Sequence, residues 1–403
     1  MKKLQEVILK KFEEQRILTG HPWVFKSEIE KIPDEAQDGD IVMVRAGSRK
    51  RVGLGYLNRQ SEITVRMIDI APKKEEYAPV KDLKSFLCNK INRAVKLREK
   101  MTNTDAKRVF FSEADGIPGF IADLYNGLLV VQVNTLGAEK LKPVLTEALI
   151  REVKPSIVYE KSISPSRKKE GLEQSEGVLW PKGAEVKPVI ITENGLKFEV
   201  NVKSGTKTGF YLDQRDARGK LKDYIKEGAR VLDCFCYTGA FSVYAKHFGA
   251  GSVTGVDISE KGLKTAEANM KLNNFDNYEF IKEDVFEFLR KQVLKKEKYD
   301  VIILDPPPFS KTKSEKEGAM SGHKELHVSA LKLLNRGGIM MSFSCSHSVR
   351  GQELMENAYT AAEDAKCEIE PAGVFEQASD HPYKKNIPET FYLKGIAVKK
   401  TAA

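Results

Sequence analysis

Apolar and polar positions along this chain follow three different rhythms. Up to about residue 72 the apolar residues come in short alternating runs. "DGDIVMVRA", "VGLGYLN" and "EITVRMI" read as strands broken by Gly and Asp turns. "GHPWVFKSEIEKI" near the start reads as an extended entry into a small barrel, and the charged spacer "APKKEEYAPVKD" (Ala71 to Asp82) closes the region. From 73 to 188 the periods mix. "DLKSFLCNKINRAVKLREKM" and "AEKLKPVLTEALIREV" carry apolar residues near a 3.6 spacing and predict helices. "RVFFSEADGIPGFIADLYNGLLVVQVNT" predicts strand, turn, strand, turn, strand, with "ADG" and "YNG" as hairpin turns. "SIVYE" predicts another strand, whereas "SISPSRKKEGLEQSEG" has no period and is expected to be a loop.

From 189 to 403 a hairpin, "ITENGLKFEVNV", leads into repeated strand–helix alternation. "RVLDCFC", "SVTGVDI", "YEFIKED", "YDVIILDPP" and "GGIMMSFSCS" are nearly continuous apolar runs, the pattern of a parallel sheet covered on both faces. "CEIEPAGVFEQ" and "TFYLKGIAVKK" predict two more strands, an antiparallel closing hairpin. The 403 residues exceed one ordinary domain, and these rhythms divide them into 1–72, 73–188 and 189–403.

Composition narrows the setting. The net charge of +9 and pI near 9.0 are compatible with a polyanionic partner but do not by themselves establish one. Five cysteines are scattered and odd in number, and "MKKLQEVILKKFEEQR" lacks the apolar stretch of a secretory signal. A reducing, cytoplasmic location is therefore expected. No apolar run approaches the roughly 20 residues that span a bilayer, so no membrane partner is expected. Cys234 and Cys236 have no second Cys/His pair at zinc-site spacing, so no metal is expected either.

Ligands of an open parallel sheet bind at the carboxyl ends of its strands, where strand order reverses. The first such strand ends in "VLDCFCYTGAFS", with Asp233 at its tip, Tyr237 in the turn and Gly239 opening the next helix. Only one glycine of a dinucleotide fingerprint is present, and a carboxylate there suits a cationic amine rather than a phosphate. The second strand ends at Asp257, placed to accept hydrogen bonds from a ribose diol. The third ends in "IKEDVF", where Asp284 can accept from an adenine amine with Val285 and Phe286 beside the ring. Amino-acid group, ribose and adenine without a phosphate make S-adenosylmethionine, which is the cofactor expected here. Each Asp taken alone could equally be a helix cap.

The fourth strand ends in "VIILDPPPFS". Three prolines hold the chain extended after Asp305, and Phe309 offers a face for a flipped base, with Pro306 beside it in a substrate-binding loop. This loop resembles that of methyltransferases acting on the amino groups of bases. Cys345, in "MMSFSCSHS", lies at the next strand tip, so it and Asp305 can meet over one substrate. That pair fits attack on cytosine: a thiolate adds to carbon 6, and a carboxyl group at ring nitrogen 3 and the amine stabilises the charge shift. The bland alternative for Cys345 is a small buried thiol.

Taken together, "RILTGHPWVFKSEI", "FSEADGIPGFIADLYNG", "KTGFYLDQRDAR", "DCFCYTGAFS", "LDPPPFSK", "FSCSH" and "SDHPYKKNIPETFYLKG" resemble the PUA-domain-containing class I methyltransferases. The characterised bacterial members of that family are large-subunit (23S) rRNA 5-methylcytosine methyltransferases. The resemblance runs from about Arg16 to Lys399 and implies an α/β chain: a Rossmann-like class I methyltransferase domain preceded by a small β-barrel (PUA) domain and a small α+β domain. It implies Cys345 as nucleophile, Asp305 as its catalytic partner, and Phe210, Asp213 and Arg215 along the methionine end of the cofactor. Many related RNA enzymes carry a second cysteine in the Asp-Pro-Pro loop, thought to assist product release; proline stands there in this chain, so release needs another route. His347 and His381 are candidates for the proton-abstracting base. Lys311, with Lys313, and the "SRKK" cluster (Ser166 to Lys169) are basic candidates for phosphate contact. Trp23 and Phe25 suit a core better than a stacking platform, while His21 and Arg51 lie in the suspected RNA-binding region. A homodimer is compatible with the sequence. Two other functions compete: methylation of an exocyclic base amine with Cys345 structural, and a non-catalytic rRNA-binding assembly factor.

Overall fold

The computed structural model describes residues 4–72, 75, 77–78, 80–205, 207–309 and 316–402. They form two compact units. The first comprises Met1–Val189, Val200–Phe210 and Asp380–Thr390; the second Ile190–Glu199, Tyr211–Ser379 and Phe391–Ala403.

In the first unit, the N-terminal alternating runs become a six-stranded sheet in the order Trp23–Val24, Val65–Ile70, Arg51–Leu57, Ile41–Arg45, Glu6–Leu9, Ile29–Lys31. Its inward positions (Val7, Leu9, Val42, Val44, Val52, Val65) make one core. The "GHPWVF" entry folds tightly: the Trp23 indole donates to Glu113 at 3.0 Å and stands edge-on to His21 and Phe25. Next comes a five-stranded sheet, Ser175–Trp180, Ile157–Ser162, Leu128–Val133, Phe120–Tyr125, Ala106–Phe111, packed on helices Leu83–Arg98 and Leu136–Val153. Asn126 and Gly127 both take positive φ (+44° and +84°), making the two-residue hairpin that "YNG" predicts. "ADG" is not a hairpin turn: Ser112–Asp115 is one helical turn, ended by left-handed Gly116.

The expected loop at "SISPSRKKEG" is also corrected. Ser164 caps a short helix, Pro165–Lys169, with proline in its first turn, where its missing N–H costs nothing. Arg167 is buried, bonded to the carbonyls of Val133 (2.6 Å) and Glu173 (2.7 Å) and to Glu139 (2.9 Å), so it is not free for phosphate; Lys168 and Lys169 are exposed. Two distant segments complete this unit. Thr208 donates to buried Asp123 at 2.6 Å and shares a hydrogen bond with Tyr125, while Arg98 reaches the Asp380 carbonyl and Asp380 accepts from the Arg108 amide.

The second unit is built on seven strands: β1 (Arg230–Cys234), β2 (Ser252–Asp257), β3 (Tyr278–Lys282), β4 (Tyr299–Leu304), β5 (Leu334–Ser344), β6 (Glu368–Glu376) and β7 (Lys394–Ala402). Their order is β3-β2-β1-β4-β5-β7-β6. Strands β1 to β5 pair in parallel, with Asp233 opposite both Gly255 and Ile303; the strand order reverses between β1 and β4. β7 runs antiparallel to β5 on one side and β6 on the other. The two last strands are therefore antiparallel neighbours as expected, but the final strand is inserted inside the sheet rather than added at its edge. Between strands lie helices α1 (Ala240–His247), α2 (Glu260–Leu272), α3 (Val285–Lys295), α4 (Lys316–Leu333) and α5 (Gly351–Ala365). The apolar runs of β1, β4 and β5 (Leu232, Ile302, Leu304, Met340) form one core with α3, α4 and α5. The "ITENG" hairpin, Val189–Glu193 with Leu196–Val200, turns on Asn194 and Gly195 at φ +52° and +82°.

Candidate active site

The carboxyl edge of the parallel sheet gathers most of the residues singled out from the sequence. After β1, the loop "FCYTG" has Phe235, Tyr237 and Gly239 all at positive φ (+63°, +47°, +70°). Left-handed backbone at two aromatic residues costs on the order of 1–2 kcal/mol each, and such strain persists where the surroundings enforce it, typically at ligand sites. Here the Phe235 and Cys236 amides donate to the Val256 carbonyl, and the Tyr237 amide donates to Asp257 at 2.9 Å. Gly239 then starts α1. A Cβ on it would lie 2.8 Å from Ala266 Cβ and 3.1 Å from the Phe280 ring, so glycine is required on both conformational and steric grounds. Gly239→Ala is expected to weaken cofactor binding about tenfold or more, since displacing this turn costs at least about 1.4 kcal/mol. Titration calorimetry measures it, and unchanged affinity would refute the role given to the turn.

Asp233 is buried, with one carboxylate oxygen accepting from Ser242 at 2.6 Å and the other without a hydrogen-bond partner among the described residues. Burial, with Asp305 and Asp257 nearby, pushes its carboxyl up to about 7. A cation brought to that unsatisfied oxygen would favour ionisation, which is what an ammonium ligand offers. Asp257 holds the Tyr237 and Ser259 amides, one on each oxygen (2.9 and 2.7 Å), and keeps further lone pairs for a diol. The next residue, Ile258, is 70% exposed. It was not singled out from sequence, yet an apolar side chain left in water beside Asp257 is the signal that marks it.

Asp284 is exposed and caps α3 through the Glu287 amide at 3.1 Å. Val285 is only 1% exposed and belongs to the core cluster of the sheet. Phe286 is half-buried and links the loops: its ring stands 6.4 Å from Phe235 and 5.9 Å from Phe309.

Asp305 follows β4 and is half-buried; Pro306 is buried, while Pro307 and Pro308 are exposed. The Phe309 ring lies over Gly322, where a Cβ would come within 3.2 Å, and meets the His323 ring edge-on at 5.2 Å. It is thus partly occupied with anchoring the proline loop to α4. Lys311 and Lys313 lie outside the described residues. Cys345 follows β5 and is half-buried. Because Leu304 pairs with Ser342, Asp305 and Cys345 leave neighbouring strands at the same edge. The other cysteines sit in different surroundings. Cys234 and Cys236 are buried thiols whose ionisation burial pushes well up, Cys367 is raised too, and Cys88 packs in the first unit.

Asp213 is buried and accepts from the Tyr392 hydroxyl at 2.8 Å. Arg215 is 2% exposed, and its Nε lies 3.3 Å from Glu193, which also takes two hydrogen bonds (2.9 Å each) from Arg218. Both residues therefore brace the segment that follows Tyr211. Glu193 and Arg218 were not foreseen. Phe210 lies in the first unit, its amide and carbonyl bonded to the Tyr125 hydroxyl. His381, also in the first unit, is buried on Asp380 at 2.9 Å and packs against Phe111. His347 is exposed, its ring 6.4 Å from Tyr392. Among the described residues no group of three or more His, Cys, Asp or Glu side chains could hold a metal, and no helix is long and apolar enough to cross a membrane.

Known proteins sharpen this picture. Residues 7–69 match the PUA-like domain family and 225–395 a methyltransferase domain family. A solved chain described as a SAM-dependent methyltransferase from Streptococcus mutans superimposes with a TM-score of 0.80 at 20% identity, covering 98% of this chain and 99% of that one. Another methyltransferase, solved with SAH, gives 0.82 at 21% identity over 98% and 99%. In sequence, the ribosomal RNA large subunit methyltransferase I of Shewanella frigidimarina is 39% identical over 397 residues, covering 97% of this chain and 98% of the relative. That of Aeromonas hydrophila is 38% identical over 399 residues, covering 98% of each. With such identity sustained from end to end over a methyltransferase sheet and a PUA-like domain, the chain belongs to the ribosomal RNA large subunit methyltransferase I family.

Proposed function

We propose that this chain methylates carbon 5 of a cytosine in large-subunit ribosomal RNA through a covalent Cys345 adduct. The observation that carries this reading is the juxtaposition of Asp305 and Cys345 at the tips of β4 and β5. It is joined to three further strand tips whose Asp233, Asp257 and Asp284 fit S-adenosylmethionine. The N-terminal 1–72 region serves as the RNA-binding PUA domain, 73–188 as a central α/β domain and 189–403 as the catalytic domain. The cytoplasm, where ribosomal RNA is found, is the site of action.

The Cys345 thiolate forms a bond to carbon 6, and the ring's displaced electron pair moves toward nitrogen 3. Asp305, protonated or hydrogen-bonded there, stabilises it. S-adenosylmethionine, when bound, supplies a sulfonium-activated methyl that the now nucleophilic carbon 5 takes. A base then removes the carbon 5 proton, the C5=C6 bond re-forms, and the sulfur–carbon pair returns to Cys345. Pro306 and Phe309 hold the base-facing loop, with Phe309 fixed by Phe286 and His323.

One observation favours a second reading, methylation of an exocyclic amine: the Asp305-Pro-Pro-Pro-Phe loop alone could hold an amino group. The two are separated by incubating the protein with rRNA carrying 5-fluorocytidine. Carbon 5 chemistry predicts a stable protein–RNA adduct mapped by mass spectrometry to Cys345 and 5-methylcytidine in unsubstituted RNA. A methyl mapped to an exocyclic nitrogen, with no adduct, overturns it.

A further inference from the structure

The last strand brings a cation to the nucleophile. In the antiparallel pairing of β5 with β7, Lys394 is the register partner of Ser344, the residue directly before Cys345. The residue is 7% exposed, and the Nζ donates to the carbonyls of Ser346 (2.9 Å) and Tyr392 (3.0 Å), so the ammonium is fixed over the turn that presents the thiol. Holding a lysine in so dry a place is costly unless an anion uses it. Among the described residues no carboxylate fills that part. Glu376, its partner on β6, is exposed at the sheet edge; Glu353 on α5 is engaged by Arg350 and Lys316; Asp213 takes the Tyr392 hydroxyl. α5 meets Lys394 through Gly351, the aromatic neighbour is Phe391 at 5.7 Å, and His347 is exposed.

We infer that Lys394 is the positioning residue for the Cys345 thiolate, stabilising the negative sulfur both before it attacks and when it leaves. The inference rests on the reading of Cys345 as nucleophile. Burial pulls the Lys394 ammonium down to about 8, and the Cys345 sulfur acts in the opposite sense, as a facing anion would. At neutral pH the lysine is still mostly protonated, so an ammonium and a thiolate can coexist, as in other activated cysteines. The role also addresses product release. When the carbon 5 proton is lost and the sulfur–carbon 6 bond breaks, the pair returns to a sulfur already facing a fixed cation. A lower-energy thiolate is a better leaving group, so expulsion needs no second cysteine.

The test is the pH dependence of Cys345 alkylation by iodoacetamide in the full chain, resolved peptide by peptide so that the other four cysteines do not interfere. In the wild type the midpoint is expected at least about one pH unit below the ordinary thiol value of about 8.5. Lys394→Gln should raise it by about one unit or more, lowering alkylation near neutrality about tenfold, and Lys394→Arg should largely restore it. The acid limb of kcat should move with that midpoint while KM for RNA changes little. A wild-type midpoint at or above about 8.5 overturns the inference without any variant. So does an unchanged midpoint in a Lys394→Gln protein that still binds S-adenosylmethionine by calorimetry. If the midpoint is low and lysine-dependent but no fluorocytidine adduct forms, the cytosine reading fails while the Lys394–Cys345 pairing stands.

Discussion

Replacing Cys345 by alanine is expected to lower methyl transfer to ribosomal RNA by at least about 10^3-fold, because a nucleophile that opens a covalent route cannot be replaced by positioning alone. The loss should fall on kcat. Affinity for S-adenosylmethionine should stay within about twofold, since Asp233, Asp257 and the left-handed turn after β1 lie on other strands. Cys345→Ser should be nearly as inactive, because an alkoxide is far harder to generate than a thiolate. Alanine at Cys234 or Cys236 tests specificity from the other side. Both are buried thiols whose ionisation burial opposes, so their loss should disturb packing without removing the chemistry. Tritium transfer from labelled cofactor to rRNA measures all four. If Cys345→Ala keeps more than about a tenth of the activity, covalent catalysis is excluded and the exocyclic-amine reading takes its place.

The second large effect concerns stability. Glu193 is fully buried and faces Arg218 (1% exposed) and Arg215 (2% exposed), with the Tyr244 hydroxyl donating to it at 3.0 Å. Removing the carboxylate takes away the charge that both buried guanidinium groups face in Glu193, and breaking a buried pair in this way costs about 3–5 kcal/mol. Glu193→Ala should therefore lower the urea midpoint of the second unit sharply. Glu193→Gln, which keeps the shape and some hydrogen bonds, should do so less. A loss under about 1 kcal/mol in the alanine variant would mean that water or rearrangement neutralises the arginines, contrary to the burial described.

The contrast between these two sites shows what a sequence discloses. The parallel strands were legible because their apolar runs are long and local, and the Asn-Gly turns because both residues must enter the left-handed region. That Asp233, Asp257 and Asp305 stand at strand ends was legible because each ends such a run, and Cys345 likewise follows the next strand. Glu193, Arg215 and Arg218 were not, since a charged residue in a hairpin reads as solvent-facing until its partners more than twenty positions away are brought to it. Lys394 escaped for the same reason: its meaning lies in the β5–β7 register, which no local pattern encodes. The helix at Pro165–Lys169 was missed because its anchor is Arg167 turned inward, whereas a basic run normally signals a wet surface.

The placement of β7 has a consequence for how the protein comes into being. Translation delivers β6 before β7, yet among the described residues β6 pairs in the sheet with β7 alone, which is also the strand that carries Lys394 to Cys345. The first unit is delayed in the same way, because it takes in Asp380–Thr390. Neither unit is complete until the segments beyond Cys345 have been made, so a chain cut short before Lys394 would carry Cys345 without the cation assigned to it.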